Sequence, residues 1–496
     1  MPVPFKKDPV EFIQRTLLAT NVFDLLPGDH DCFVYEDIFS QIDTKEVEKK
    51  YSILGQHAYH PKLITAILIY AYSQGIFSSR KIEKRCREDI SFMYISHASC
   101  PNFRVLSDFR KENYNFFKSC FRQSVTIAKN LGMVSLGHVS IDGSKFNANT
   151  SKHKAASYKR LKEAEEKLTK EIENLIKKAD DTDSAEDKIY YNGKGYGIPE
   201  DIKIKQKRID KIKRVKKALE KREKKANPGK VVKDSSQISY ADTEAKIMKA
   251  KGNFDYYYNG QISVDSKNQI IIGQHLTQSE NDKTELKNAL GDIKENMKAL
   301  PDKLTLDCGY ITAENITLLC HLKIDGYIAS GKGEKDVFGQ DSKKINKSHF
   351  NYDSAKDEFV CPAGHILKLK FIGKERTYKA DNKVCEGCSF QKRCVTNRGA
   401  RPNIYTDYRG IIVAAMKEKM QKDASKEIYA KRKIIVEPVF GQIKTSGFRR
   451  FSVRGIKKAG GEFSLVCAVS NFKKIVGKLK TEINHTLETE LALTVS

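Results

Sequence analysis

The sequence predicts an α/β protein built on a mixed sheet, with an all-helical N-terminal domain, a helical-hairpin insertion and a small Cys-rich insertion. Three observations carry this. Short runs with a period of two close on acids, Val139-Ser-Ile-Asp142 and Lys303-Leu-Thr-Leu-Asp307. Helical periodicity dominates before them. Between them lies a long charged segment whose apolar residues have seam-like spacing.

At 496 residues the chain exceeds one ordinary core, so several domains are expected. The divisions read from the sequence are a helical N-terminal domain at 1–132, a core assembled from 133–154, 234–330 and 425–480, a basic helical insertion at 155–233, a Cys-rich insertion at 331–424 and a tail at 481–496.

In the first domain Tyr59-His60-Pro61 precedes an apolar helix over 62–74 that ends near Gly75. Ser78 or Ser79 can cap a helix through Arg87, and two amphipathic helices follow over 102–114 and 116–131. Short helices joined by tight turns fit a helix-turn-helix type of module, in which Arg104 and Arg110 are DNA-contact candidates.

The strand that ends at Asp142 is followed by the insertion. Leu161, Leu168, Ile172 and Leu175 form one seam, and Ile209, Ile212, Val215 and Leu219 a second. Gly193, Gly195, Gly197 and Pro199 interrupt them, so the segment reads as a coiled-coil-like hairpin. Residues 202–233 hold fifteen Lys and Arg against three Asp and Glu. Such an excess repels itself unless an anion screens it, which points to phosphate.

Strands are then predicted at 258–264 and 269–274 around a turn at 265–268, a helix at 282–300 that Asp282 most simply caps, an accessory role for it being the alternative, a strand at 303–307, a helix at 312–322 and a strand at 326–330. With a late helix near Glu437, this is the element order of a ribonuclease-H-like fold.

Charge and composition narrow the function. Lys and Arg number 89 against 63 Asp and Glu, a net +26, so a polyanionic partner is expected. Residues 1–31 lack the apolar region of a secretory signal, and Leu63–Tyr72 is about half the length needed to cross a bilayer. A cytoplasmic protein without a membrane partner is expected. Its eleven cysteines argue against a disulfide framework. Cys361, Cys385, Cys388 and Cys394 can supply four thiolates for a structural Zn²⁺, with His365 in reserve; unligated thiols are the alternative. Cys32, Cys86, Cys100, Cys120, Cys308, Cys320 and Cys467 read as core thiols.

The chemistry rests on carboxylates. Phosphodiester cleavage needs an activated oxygen nucleophile and a stabilised leaving oxygen, and two divalent ions bound by hard oxygen ligands supply both. Asp142 and Asp307 end strands and are followed by Gly143 and Gly309. The third acid is Glu437, with Lys444 seven residues on and Lys433 four before; on one helix they share a face. Pro438 disfavours helical geometry at Glu437, so a kink or helix start is expected there. Arg449, Arg450 and Arg454, interleaved with Phe448 and Phe451, form a strip suited to stacking and phosphate contact.

The segment from Tyr429 to Lys444 resembles the Tyr-Arg-Glu-Lys signature of bacterial insertion-sequence transposases of the DDE class. Glu437 and Lys444 match its second half, Tyr429 and Arg432 its first; four residues, rather than the usual three, separate Arg432 from Glu437. Val139–Asn149 is similar to the first-Asp motif, Tyr258–Asp265 to the following strand, Leu306–Asn315 to the second-Asp motif and Pro101–Arg110 to the N-terminal domain. The resemblance implies catalysis by Asp142, Asp307 and Glu437 with two Mg²⁺ or Mn²⁺ ions. It implies DNA contacts from Tyr429, Arg432, Lys433, Lys444, Arg449 and Arg450. The implied partners are terminal inverted repeats and target DNA, bound by a homodimer on paired ends in a bacterial nucleoid. The competing readings are a non-catalytic DNA-binding protein of the same descent and a ribonuclease-H-like nuclease without strand transfer.

Overall fold

A computed structural model describes residues 22–51, 58–152, 155–186, 200–250, 252–329, 345, 349–353, 355–372, 376–394, 403–406 and 410–495. The chain divides into two compact units, one comprising 1–116 with 472–496 and the other 117–471.

The first unit is helical, with helices Asp31–Ser40, Lys45–Glu48, Pro61–Ser73, Ser79–Glu88, Ile90–Ile95 and Phe103–Glu112. The helix at Pro61 starts where the sequence places it. His60 Nδ1 accepts the Lys62 N–H at 3.1 Å, and Pro61 has no N–H to lose in a first turn. Nearly every residue of this helix is buried, so the apolar run is the centre of a core. Among the described residues no helix is long and apolar enough to cross a membrane. Asn102 Oδ1 caps its helix by accepting from the Arg104 and Val105 N–H groups. Arg104 is exposed. Arg110 is buried, donating to Tyr72 Oη, the Phe77 carbonyl and Ser79 Oγ at 2.8 to 3.0 Å. It ties three helical segments together, which corrects its reading as a DNA contact.

The second unit is built on a six-stranded mixed sheet: β1 (His138–Asn147), β2 (Lys246–Ala250), β3 (Asn253–Asp265), β4 (Ile271–Thr277), β5 (Lys303–Leu306) and β6 (Asp325–Ile328). β3 lies antiparallel to β1 and carries β2 and β4 on its other edge; β5 runs parallel to β1 and β6 parallel to β5. Val139, Ile141, Leu304 and Leu306 are fully buried, as inner strands of such a sheet require. Helix Leu286–Met297 packs on β4, and helix Ala313–His321 on β6.

The last helix, Ile456–Val495, begins in this unit and runs past the boundary expected at 480. Asn471 fastens it to β4, accepting the Ile271 N–H at 2.8 Å and donating to the Ile271 carbonyl at 2.9 Å. Gly260 in β3 admits Phe463, whose ring would lie 2.7 Å from a side-chain carbon there.

Helices Tyr158–Glu186 and Glu200–Ala226 pack along the predicted seams. Leu161, Ile212, Val215 and Leu219 form one cluster with Ile238, and Ile172 meets Ile209 in another. The glycines at 193–197 and Pro199 lie outside the described residues. A strand pair, Ala155–Ser157 with Gln237–Ser239, joins the base of this arm.

Strands at 351–353, 358–360, 366–372, 376–380 and 403–406 form a second, antiparallel sheet. They close a small core around Phe359, Leu367 and Tyr378. The sequence reading had no strands here.

Candidate active site

Ile141 of β1 stands level with Leu306 of β5 in the parallel register, so Asp142 and Asp307 follow at one level on neighbouring strands. Adjacent strands lie about 4.8 Å apart, which brings the two carboxylates to one place. Asp142 does not end its strand, as expected from sequence; β1 runs on to Asn147 paired with β3, and only the parallel pairing stops. The Asp142 carboxylate accepts the Gly143 N–H at 2.9 Å. Asp307 caps a single turn by accepting the Gly309 N–H at 2.8 Å. Burial pushes the Asp142 carboxyl up to about 6, with the Asp307 charge adding to the rise and Arg432 opposing it. Asp307 is raised for the same first reason, with its Gly309 hydrogen bond and Arg432 in opposition.

Pro438 acts as expected. Helix Arg432–Ile435 stops, and helix Glu437–Thr445 starts with the proline in its first turn. The break absorbs the extra residue of spacing. Arg432 is buried between the acids, with Nη2 2.8 Å from Asp142 Oδ1 and Nη1 3.1 Å from Glu437 Oε1. Its Nε is buried with no hydrogen-bond partner among the described residues. Lys433 lies exposed on the preceding short helix, so the single helical face expected for Lys433, Glu437 and Lys444 does not form. Lys444 donates to Ser144 Oγ, two residues beyond Asp142, with its ammonium 5.3 Å from the centre of the Phe146 ring.

Tyr429 is half-buried, its phenol raised by burial and lowered by Arg432. Arg449 and Arg450 are exposed. Phe448 and Phe451 are each 1% exposed and pack edge-on to each other and against Phe146. They cannot stack on a nucleic-acid base, which corrects the expectation of an aromatic strip.

Asp282 is the residue that sequence reasoning misplaced. The cap position of helix Leu286–Met297 is Glu285, and Asp282 is three residues outside it. Its Oδ1 accepts from Asn259 Nδ2 at 2.8 Å and Gln261 Nε2 at 2.5 Å. Both amides come from β3 and are 2% and 0% exposed. Gln261 Oε1 in turn accepts the Tyr310 hydroxyl. The available signal was Asn259 and Gln261 themselves, two amides at alternate positions on the inward face of an apolar strand.

Cys361, Cys385, Cys388 and Cys394 line one small cavity of about 30 Å³ with His365. Gly364 and Gly387 turn the chain at positive φ beside them, and the His365 N–H lies 3.2 Å from Cys361 Sγ. Burial first, then the three other thiols, pushes the Cys394 thiol up to about 11. Cys308 and Cys320 are exposed, which corrects their reading as core thiols. As placed, no group of three or more His, Cys, Asp or Glu side chains among the described residues has the spacing to hold a metal ion.

A mixed α/β fold of this kind is consistent with a DDE domain of ribonuclease-H type. The family model described as "Transposase DDE domain" matches residues 360–476, and that described as "Transposase domain (DUF772)" matches residues 20–112. Both matched models describe transposase domains; together they support an insertion-sequence DDE transposase and indicate DNA transposase function. The first match takes in the four cysteines, Arg432, Glu437 and Lys444; Asp142 and Asp307 lie outside both. No curated protein matches the chain.

Proposed function

We propose that this transposase cleaves the phosphodiester bonds at its element's ends and joins the freed 3′ ends to target DNA. Asp142, Asp307 and Glu437 are the acids that do this work. One observation carries the reading: Asp142 and Asp307 stand at one level where the parallel pairing of β1 with β5 ends, and Arg432 links Asp142 to Glu437. The oxygen donors suit a hard divalent cation, Mg²⁺ or Mn²⁺. The site sets three carboxylates against one buried guanidinium, and burial first, with the Asp307 charge adding to it, raises the Asp142 carboxyl. Two such ions, when bound, supply an activated attacking oxygen and charge stabilisation at the leaving one.

The remaining roles belong to the chain. Arg432 holds Glu437 beside Asp142 against their mutual repulsion. Lys444, steadied by Ser144, is aimed at a DNA phosphate next to the acids. Tyr429 supports the strand end, and the exposed Lys433, Arg449 and Arg450 take phosphates along it. The basic helix Glu200–Ala226 extends that contact over duplex DNA. The four cysteines hold a structural Zn²⁺, since they line one cavity and match its ligand chemistry. A homodimer pairs the two terminal inverted repeats, in the bacterial nucleoid.

The test is cleavage and strand transfer on linear DNA carrying the element's own ends with Mg²⁺. Asp142→Asn, Asp307→Asn and Glu437→Gln each abolish both steps while duplex binding persists. Metal-dependent cleavage retained by any one of them removes that residue from the site, and cleavage without joining by the wild type leaves a nuclease.

A further inference from the structure

We propose that Asp282 is a fourth carboxylate of the divalent-ion site and touches the bound cation; this rests on the reading of Asp142 and Asp307 as its ligands. Three observations point there. First, Asp282 does no capping work, because the helix after it starts beyond Glu285. Its side chain turns instead towards β3, where two buried amides from Asn259 and Gln261 donate to the same oxygen, Oδ1. Gln261 is fixed by the buried Tyr310 hydroxyl. Three residues from two separated segments, two directly and Tyr310 through Gln261, hold one carboxylate in one orientation.

Second, that orientation puts its oxygens against both acid-bearing strands. A side-chain carbon at Gly143, next to Asp142, would lie 2.6 Å from Asp282 Oδ1. One at Gly309, two residues after Asp307, would lie 3.1 Å from Asp282 Oδ2. A side chain at Gly143 would displace the carboxylate, and one at Gly309 would crowd it.

Third, the cradle is incomplete without a cation. No Lys or Arg pairs with Asp282 among the described residues, whereas Arg432 is shared by Asp142 and Glu437. Asn259 Oδ1 is buried without a hydrogen-bond partner among the described residues, and it would lie 3.1 Å from a carbon at Gly143. A buried amide oxygen left unpaired is costly. A divalent ion, or water bound to it, accounts for both this oxygen and the fourth carboxylate.

The experiment is Mn²⁺ titration of the full-length chain, by calorimetry or by the spin-resonance signal of free Mn²⁺, with thermal melting in chelator alongside. Asp282→Asn leaves melting and duplex binding close to wild type and weakens Mn²⁺ binding by about 10- to 100-fold. Wild-type Mn²⁺ affinity in Asp282→Asn, with affinity lost in Asp142→Asn, overturns the proposal and leaves Asp142 in place. Wild-type affinity in Asp142→Asn overturns the underlying reading instead. Should Asp282→Asn fail to fold, Asn259→Ser decides: it removes the cradle and keeps every acid, so reduced Mn²⁺ affinity supports the assignment and unchanged affinity ends it.

Discussion

Asp142 pays in stability for its position. Its carboxyl is raised to about 6, so between the ordinary carboxylate range and that value the folded chain takes up a proton more readily than the unfolded one. Stability therefore falls as pH rises through that window, and at pH 8 the folded protein carries the whole penalty. Asp142→Asn removes it, by about 3 kcal/mol at most. In chelator the variant should melt above wild type at pH 8, and the gap should narrow as pH falls through about 6 towards 3.8. A lower melting temperature at pH 8 would mean that the pairing with Arg432 outweighs burial. At this scale the sequence was readable where function is locally spelled. Asp142 and Asp307 each follow an apolar alternation, with a glycine one and two residues on, Gly143 and Gly309. The setting of Asp282 was not readable, because its partners Asn259 and Gln261 lie 23 and 21 residues upstream and only β3 brings them to it. Arg432 was marked by its motif, but its burial between two acids depends on the break at Pro438.

Elements show the same contrast. The helices at Pro61 and Asn102 and the seams of the arm were legible because caps and apolar spacing act within a few residues. The antiparallel sheet over 351–406 was not, because its strands are three to seven residues long and meet only in the folded chain. Its cysteines make a test of that element. If they hold zinc, the purified protein contains about one zinc per chain, and a strong chelator lowers its melting temperature. Metal analysis that finds none removes the assignment.

A second element depends on charge. His275 of β4 lies 2.7 Å from Asp292 and 3.2 Å from Glu285, at the start of the helix packed on that strand. Burial alone would lower the imidazole, but the two carboxylates push it up to about 9. The stabilisation is complete below the ordinary histidine value near 6.5 and is lost as pH rises through about 9. His275→Gln should cost about 3 kcal/mol near pH 6. The melting difference from wild type should shrink towards pH 10, and a constant difference would show that His275 acts by packing alone.

Across the whole molecule the net charge of +26 is concentrated rather than spread. In helix Glu200–Ala226 the buried Ile209, Ile212, Val215 and Leu219 face the partner helix, and Lys205 and Lys216 pair with Glu171 and Glu165 across it. Lys207, Arg208, Lys211, Lys213, Arg214, Lys217 and Lys221 are all exposed. Such a face repels itself and persists only if the seam holds the helix regardless of it, which separates folding from binding. Reversing Lys207, Lys211, Arg214 and Lys221 to Glu should leave thermal melting nearly unchanged. Duplex DNA affinity should fall, and the slope of log affinity against log salt should drop by about 0.9 for each phosphate that is no longer neutralised, up to roughly 4 in all. An unchanged slope would mean that the arm never reaches phosphate, and the charge would then need another anion to explain it.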